Sequence, residues 1–303
     1  MNRASALFGY ISARSGSAPT GRKASAALVL LVLGLVSIAA PTLMRLAQLN
    51  WTTEAGAHGP IVLATGLWLI WHDRNRLAGG VAPALVPGLP LLLIALACYF
   101  LGRVTGIMML EGLSVVAVCT ITAYMYLGAK VISRFVFHVF YLCFIVSPPE
   151  NWIFVGTRPI KAALSNWAVD LLASTGFPAA QSGSTIFIGY FQLQVAAACS
   201  GLYSMIGITA IGAFYIYIRH GSDVRYAIIM GLLIIPFAML INFLRIIALI
   251  LITYQYGDGA AFEFSHDYGG MFTFAIAILF LMGLDSALHP LFGALRRRTS
   301  GQR

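Results

Sequence analysis

Apolar residues along this chain gather into long, nearly uncharged runs separated by short polar stretches. A helix of 20 residues covers ~30 Å, about the hydrocarbon thickness of a bilayer. The pattern predicts membrane spans at about 26–47, 59–72, 83–101, 107–128, 130–146, 200–218, 225–254 and 268–290. The stretch 148–198 differs in kind. Pro148-Pro149 breaks the preceding helix, because proline removes a donor and clashes with the turn before it. Residues 160–172 then place apolar positions at helical spacing, with Lys161, Ser165 and Asp170 opposite, which predicts an amphipathic helix lying in the membrane interface. Residues 176–184 read as loop. Residues 186–195 alternate about Gly189, with Phe191, Leu193 and Val195 on one side and Gln192 and Gln194 on the other, and predict a small β-hairpin.

Charge orients this arrangement. Fourteen of the 19 Lys and Arg residues fall on one side: those of the N-terminal tail, Arg74 and Arg76, Lys130 and Arg134, Arg219 and Arg225, and those of the C-terminal tail. The positive-inside rule makes that side cytoplasmic. The expected fold is therefore an all-α polytopic membrane protein with about eight transmembrane helices, both termini cytoplasmic and one extracytoplasmic insertion. Residues 1–25 read as a cytoplasmic tail, because the run after them is span-length and lacks a clear cleavage site. Residues 26–290 form one transmembrane domain, with 148–198 as its insertion, and 291–303 form a basic cytoplasmic tail. No internal repeat is visible, which counts against inverted-repeat transporters.

Of 303 residues, 59% are hydrophobic and 10% charged, against about a quarter charged in soluble domains. The formal net charge of +9 is accounted for by loops and tails, so nucleic acid is not an expected partner, whereas membrane lipid is. Cys98, Cys119, Cys143 and Cys199 show no paired spacing, so neither a disulfide framework nor a zinc site is signalled. There is no HExxH helix, GxSxG elbow or Walker loop, and no metal or cofactor is expected.

Three residues concentrate the chemistry. Cys199, followed by Ser200 and Gly201, stands at the start of an apolar run, where helix N-terminal amides favour a thiolate. Alone, it reads as a packing cysteine. Arg245 lies inside an apolar run, with Asn242 one turn earlier on the same face. A charge there costs several kcal/mol unless it faces protein or water. His266, flanked by Glu263 and Asp267, stands just before the last run, and His58 lies on the same side of the predicted membrane. Depth brings the first three together. Cys199 and Arg245 are each 20 residues from the turn between Arg219 and Arg225, so both lie at the face opposite that turn, where His266 also returns. His72, His138, His220 and His289 fall at or near the inner face and read as solvated or interfacial.

These residues carry a resemblance. Ala198-Cys199-Ser200-Gly201, Asn242-Phe243-Leu244-Arg245-Ile246 and Phe264-Ser265-His266-Asp267 resemble the exosortase/archaeosortase family of integral-membrane cysteine transpeptidases. Weaker support comes from Ala57-His58-Gly59 before a Trp-rich span, from the Pro148-Pro149 break and from the hairpin before the cysteine. The resemblance implies a Cys199–Arg245–His266 catalytic triad, with Asn242, Ser200, Gly201, His58 and Asp267 in support. It implies secreted protein substrates that carry a C-terminal motif of the Pro-Glu-Pro (PEP-CTERM) type, a transmembrane helix and a basic cluster. It also implies a bacterial cytoplasmic-membrane location with the site facing the periplasm, alongside exopolysaccharide production. The residues themselves leave two other readings open: an anion-binding transporter or channel using Arg245, and a non-catalytic subunit of an exopolysaccharide assembly.

The topology makes a direct prediction. Reporters fused after Arg303 and in the 219–225 turn both read cytoplasmic, and one at Asp258 reads extracytoplasmic. A cytoplasmic reading at Asp258 would contradict it.

Overall fold

The computed structural model describes residues 21–53, 55–77, 83–183, 185–194, 204–221, 224–263, 275–276 and 278–288. Residues 1–20 and 289–303, most of both expected tails, lie outside that set, as does His289. The chain is mostly helical and divides into two compact units.

The first unit comprises the chain up to Thr52 and Leu63–Val146. Its helices are α1 (Gly21–Leu49), most of α2 (Gly59–His72), α3 (Leu85–Thr105), α4 (Met108–Leu127), α5 (Ala129–Ile132) and α6 (Val136–Leu142). Residues 26–49 of α1, together with α3 and α4, are long and apolar enough to cross a membrane. Helix α2 is apolar but has only 14 residues, a rise of ~21 Å. The expected span 130–146 is broken instead into α5, α6 and the 3₁₀ turns Ser133–Phe135 and Cys143–Ile145. Side-chain bonds to neighbouring segments hold this irregular stretch. Tyr141 Oη and Thr65 Oγ1 are 2.8 Å apart, His138 Nε2 is 3.2 Å from Asp73 Oδ2, and Trp51 Nε1 donates to the Ile145 carbonyl.

A buried carboxylate ties the three long helices of this unit. Glu111, in the first turn of α4, accepts hydrogen bonds from Thr42 Oγ1 (2.8 Å) and Arg103 Nη1 (2.6 Å) through Oε1, and from Arg45 Nη1 through Oε2. The helices approach closely here. A Cβ on Gly102 would stand 2.5 Å from the Glu111 backbone nitrogen, so only glycine lets α3 lie against α4 at that level.

The second unit comprises Thr53–Val62 and the chain from Ser147 onward. It contains α7 (Glu150–Ser174), β1 (Ala179–Ser182), β2 (Thr185–Ile188), β3 (Phe191–Gln194), α8 (Ser204–His220), α9 (Val224–Tyr256), α10 (Asp258–Glu263) and the apolar helix α11 (Ile278–Leu288). Helix α9, with 33 residues, is its organising element, and Arg225–Tyr256 of it can cross a membrane. One flank of α9 packs against α7 and the sheet through Leu164, Ala168, Leu172, Ile186, Ile188, Ile246 and Ile250. The other packs against α8 and α11 through Ile208, Ile216, Met230, Ile234, Phe237, Ile241 and Leu281.

Three expectations for residues 148–198 are corrected. The helix starts at Glu150 instead of 160 and runs through Pro159. Its first turns leave Trp152 and Val155 exposed, so no buried stripe marks them in the sequence. Its inward face is also rotated from the apolar stripe. Lys161 and Ser165 are buried, whereas Trp167 and Leu171 are exposed. Finally, the expected loop 176–184 contains strand β1: the hairpin about Gly189 forms as expected, and β1 extends it into a three-stranded antiparallel sheet of order β1-β2-β3, in which Ser182 pairs with Thr185 and Ile188 with Phe191. Gly189 takes φ +56 at the first position of its two-residue loop, as a tight hairpin needs. Strand β1 reads Ala-Ala-Gln-Ser, residues of weak β preference that show no apolar alternation.

The Glu111 cluster supplies a stability prediction. Glu111→Ala leaves Arg45 and Arg103 without their shared carboxylate, and breaking such a pair costs about 3–5 kcal/mol when buried. Both arginines are partly exposed, so the low end applies. Thermal unfolding in detergent should show a clear drop for Glu111→Ala and a smaller one for Glu111→Gln, which keeps an acceptor. An unchanged midpoint for Glu111→Ala would contradict the assignment.

Candidate functional site

Of the residues singled out in the sequence, Arg245, Asn242 and His58 are described. Cys199, Ser200, Gly201, His266 and Asp267 lie outside the described residues. Arg245 is 7% exposed and Asn242 1% exposed. They stand one helical turn apart on α9, at the boundary between its two packed flanks: Ile246 and Ile250 continue into the core with α7 and the sheet, and Ala238 and Ile241 into the core with α8 and α11. The opposite side of the same turns is open, with Leu244 54% exposed. Both polar residues therefore face protein, as a charge within a span requires.

Asn242 has a further property. Neither its Oδ1 nor its Nδ2 has a hydrogen-bond partner among the described residues, although both atoms are buried. His58 is buried too and belongs to the same compact unit as Arg245. Its segment is fastened to the start of the insertion by Ser147 Oγ, which donates to the Ala55 carbonyl at 2.7 Å.

The described chain on either side of α9 converges just beyond Arg245. Leu249, four residues on and buried, packs with Ala261 of α10, and Leu193 of β3 packs against that pair. Leu193 is six residues before Cys199, and Ala261 is five before His266. So the segments that lead into the predicted nucleophile and the predicted base both dock on the α9 turn that follows the arginine.

Sequence reading missed the other polar centres. Asp285 on α11 is buried and accepts from Tyr215 Oη (2.7 Å), Tyr226 Oη (2.8 Å), His220 Nε2 (2.7 Å) and Arg219 Nε (3.2 Å). His220 and His138 are buried on Asp285 and Asp73, a correction to their reading as solvated or interfacial, whereas His72 is largely exposed. The available signal was an acid within an apolar run, which has to find a partner. These carboxylates are satisfied by their own neighbours and act as ties between helices. Among the described residues no group of His, Cys, Asp and Glu could hold a metal ion.

The convergence on Leu249 can be tested by truncation. Leu249→Ala removes a buried side chain at a cost of about 2–5 kcal/mol and should loosen β3 and α10 on α9, lowering both thermal stability and turnover. Leu244→Ala, on the open face next to Arg245, should leave both near wild type. Equal effects at the two positions would contradict this packing.

Comparison with known proteins adds one finding. The family model described as transmembrane exosortase (Exosortase_EpsH) matches residues 51–283. No curated protein matches the chain, and no solved structure does. The matched region takes in α9 with Asn242 and Arg245, the three-stranded sheet, and the positions of Cys199 and His266. This chain belongs to the transmembrane exosortase family.

Proposed function

We propose that the protein is a membrane-embedded cysteine peptidase/transpeptidase that cuts the C-terminal sorting tail from secreted proteins at the outer face of the bacterial cytoplasmic membrane. The observation that carries this reading is the meeting of Leu193 and Ala261 on Leu249, one turn beyond a buried arginine in a family of exosortases. It gives the chain on either side of α9 a common anchor near Arg245.

In this mechanism the Cys199 thiolate attacks the scissile carbonyl. A sulfur–carbon bond forms and the carbon–nitrogen bond breaks, with His266 giving a proton to the leaving amine. An acceptor amine, hydroxyl or water then attacks the thioester, losing its proton to His266 and releasing the thiolate. Arg245 stabilises the negative charge on sulfur and on the carbonyl oxygen, in surroundings where water is scarce and a fixed positive charge counts for most. On the eight-span reading, in which the broken stretch 129–145 still crosses the membrane and both termini lie inside, these three residues fall at the periplasmic face. A substrate with a helical tail enters sideways from lipid, past α7 and the sheet. Secreted proteins with a Pro-Glu-Pro-type motif, a transmembrane helix and a basic cluster are the substrates this reading names.

The test is coexpression with a secreted reporter bearing such a tail. The wild-type protein should shorten the reporter and form a hydroxylamine-sensitive adduct with it. Cys199→Ala should do neither while inserting to the same level. Arg245→Lys should lose at least about a hundredfold in turnover, because a point charge replaces a planar donor fork. Processing that survives Cys199→Ala would refute the cysteine mechanism. Dependence on Arg245 without dependence on Cys199 would favour an anion-binding role instead.

A further inference from the structure

The buried carboxamide of Asn242 calls for a partner that the described residues do not supply. Leaving a buried amide unpaired costs about 1–3 kcal/mol, whereas an apolar side chain of the same shape costs nothing comparable. Leucine or methionine would fill this position on an apolar helix without penalty. The chain nevertheless places here a side chain with both a donor nitrogen and an acceptor oxygen, each buried and each without a protein partner among the described residues. Two observations narrow what it takes. Arg245, one turn away on the same face, already provides positive charge, so an anion has no need of a neutral amide. A carboxamide is also the complement of a peptide group, since Nδ2–H can donate to a backbone carbonyl while Oδ1 accepts a backbone N–H.

We infer that Asn242 is a substrate-binding residue that pairs through both atoms with one backbone peptide unit of the protein substrate. This inference rests on the acyl-transfer reading above and deepens it by assigning a backbone-recognition element beside the arginine. The recognised unit must have an N–H, so it is not an X–Pro bond. Recognition here is of main chain, independent of side-chain identity, and selects a segment that is locally unwound, because a helical substrate has its N–H and C=O groups already paired.

The experiment uses the full-length protein in detergent micelles with the tail-bearing reporter, and compares Asn242→Leu, Asn242→Gln and Cys199→Ala. Asn242→Leu keeps the shape and removes both donor and acceptor. Its melting midpoint should be at or above that of wild type, because a buried amide with no partner among the described residues has gone. Its KM should rise about tenfold or more with kcat little changed, as loss of binding common to ground and transition states requires. Asn242→Gln, which keeps the carboxamide on a longer stem, should recover part of that loss. Four outcomes would overturn the inference: unchanged KM in Asn242→Leu, a fall in kcat alone, a lowered melting midpoint, or no recovery in Asn242→Gln. Cys199→Ala keeps the two levels separate. A reporter still cut by Cys199→Ala removes the acyl-transfer reading itself, whereas an inactive Cys199→Ala beside a fully active Asn242→Leu removes only the role of Asn242.

Discussion

A guanidinium within a long apolar helix must be shielded from hydrocarbon, and the second unit is built around that requirement. A charge left facing hydrocarbon is costly, and such residues face protein or water. Helix α9 meets the constraint by turning Arg245 and Asn242 toward a boundary between two packed layers. On one flank, α7 and the sheet pack on Ile246 and Ile250. On the other, α8 and α11 pack on the turns from Met230 to Ile241. Leu240 and Leu244 occupy the open side, where apolar surface suits lipid. Helix α7 and the sheet thus form a wall beside the turns that carry the arginine.

Both units also use buried acids to fix helices that the hydrophobic effect cannot hold in register, since lipid tails are as apolar as leucine. In the first unit Glu111 joins α1, α3 and α4 through Thr42, Arg45 and Arg103. In the second, Asp285 joins α8, α9 and α11 through Tyr215, His220 and Tyr226. Each oxygen of these carboxylates has a donor, and the directional bonds specify which helix faces are in contact. Asn242 departs from this pattern. It is buried as deeply as those acids and its amide atoms have no partner among the described residues, which is the observation behind its proposed role in binding substrate backbone.

Much of this architecture was legible because a membrane span is written in length and polarity. The apolar runs located α3, α4 and α9 to within a few residues. Arg245 stood out because a charge inside such a run has few structural reasons to exist. Legibility failed where burial came from protein instead of lipid. The face of α7 that carries Lys161 and Ser165 turns inward because it packs on α9 and the sheet, and an alternation of apolar and polar residues cannot report that. Strand β1 is held by its pairing with β2, with little contribution from its own residues. His138 and His220 looked solvated because their acid partners are distant in sequence. Residues 129–145 looked like one unbroken helix because the apolar run hides the polar bonds of Tyr141 and His138 that accompany its breaks.

In the proposed site the chain on both sides of α9 brings position 199 and position 266 together beside Arg245. Cross-linking tests it most directly. In a protein with Cys98, Cys119 and Cys143 replaced by alanine, His266→Cys should form a link to Cys199 with a short thiol-specific bifunctional reagent, in intact membranes. Arg225→Cys, at the far end of α9, should not link to Cys199 under the same conditions. A link from Cys199 to position 225, or none to position 266 at any reagent length, would contradict the account.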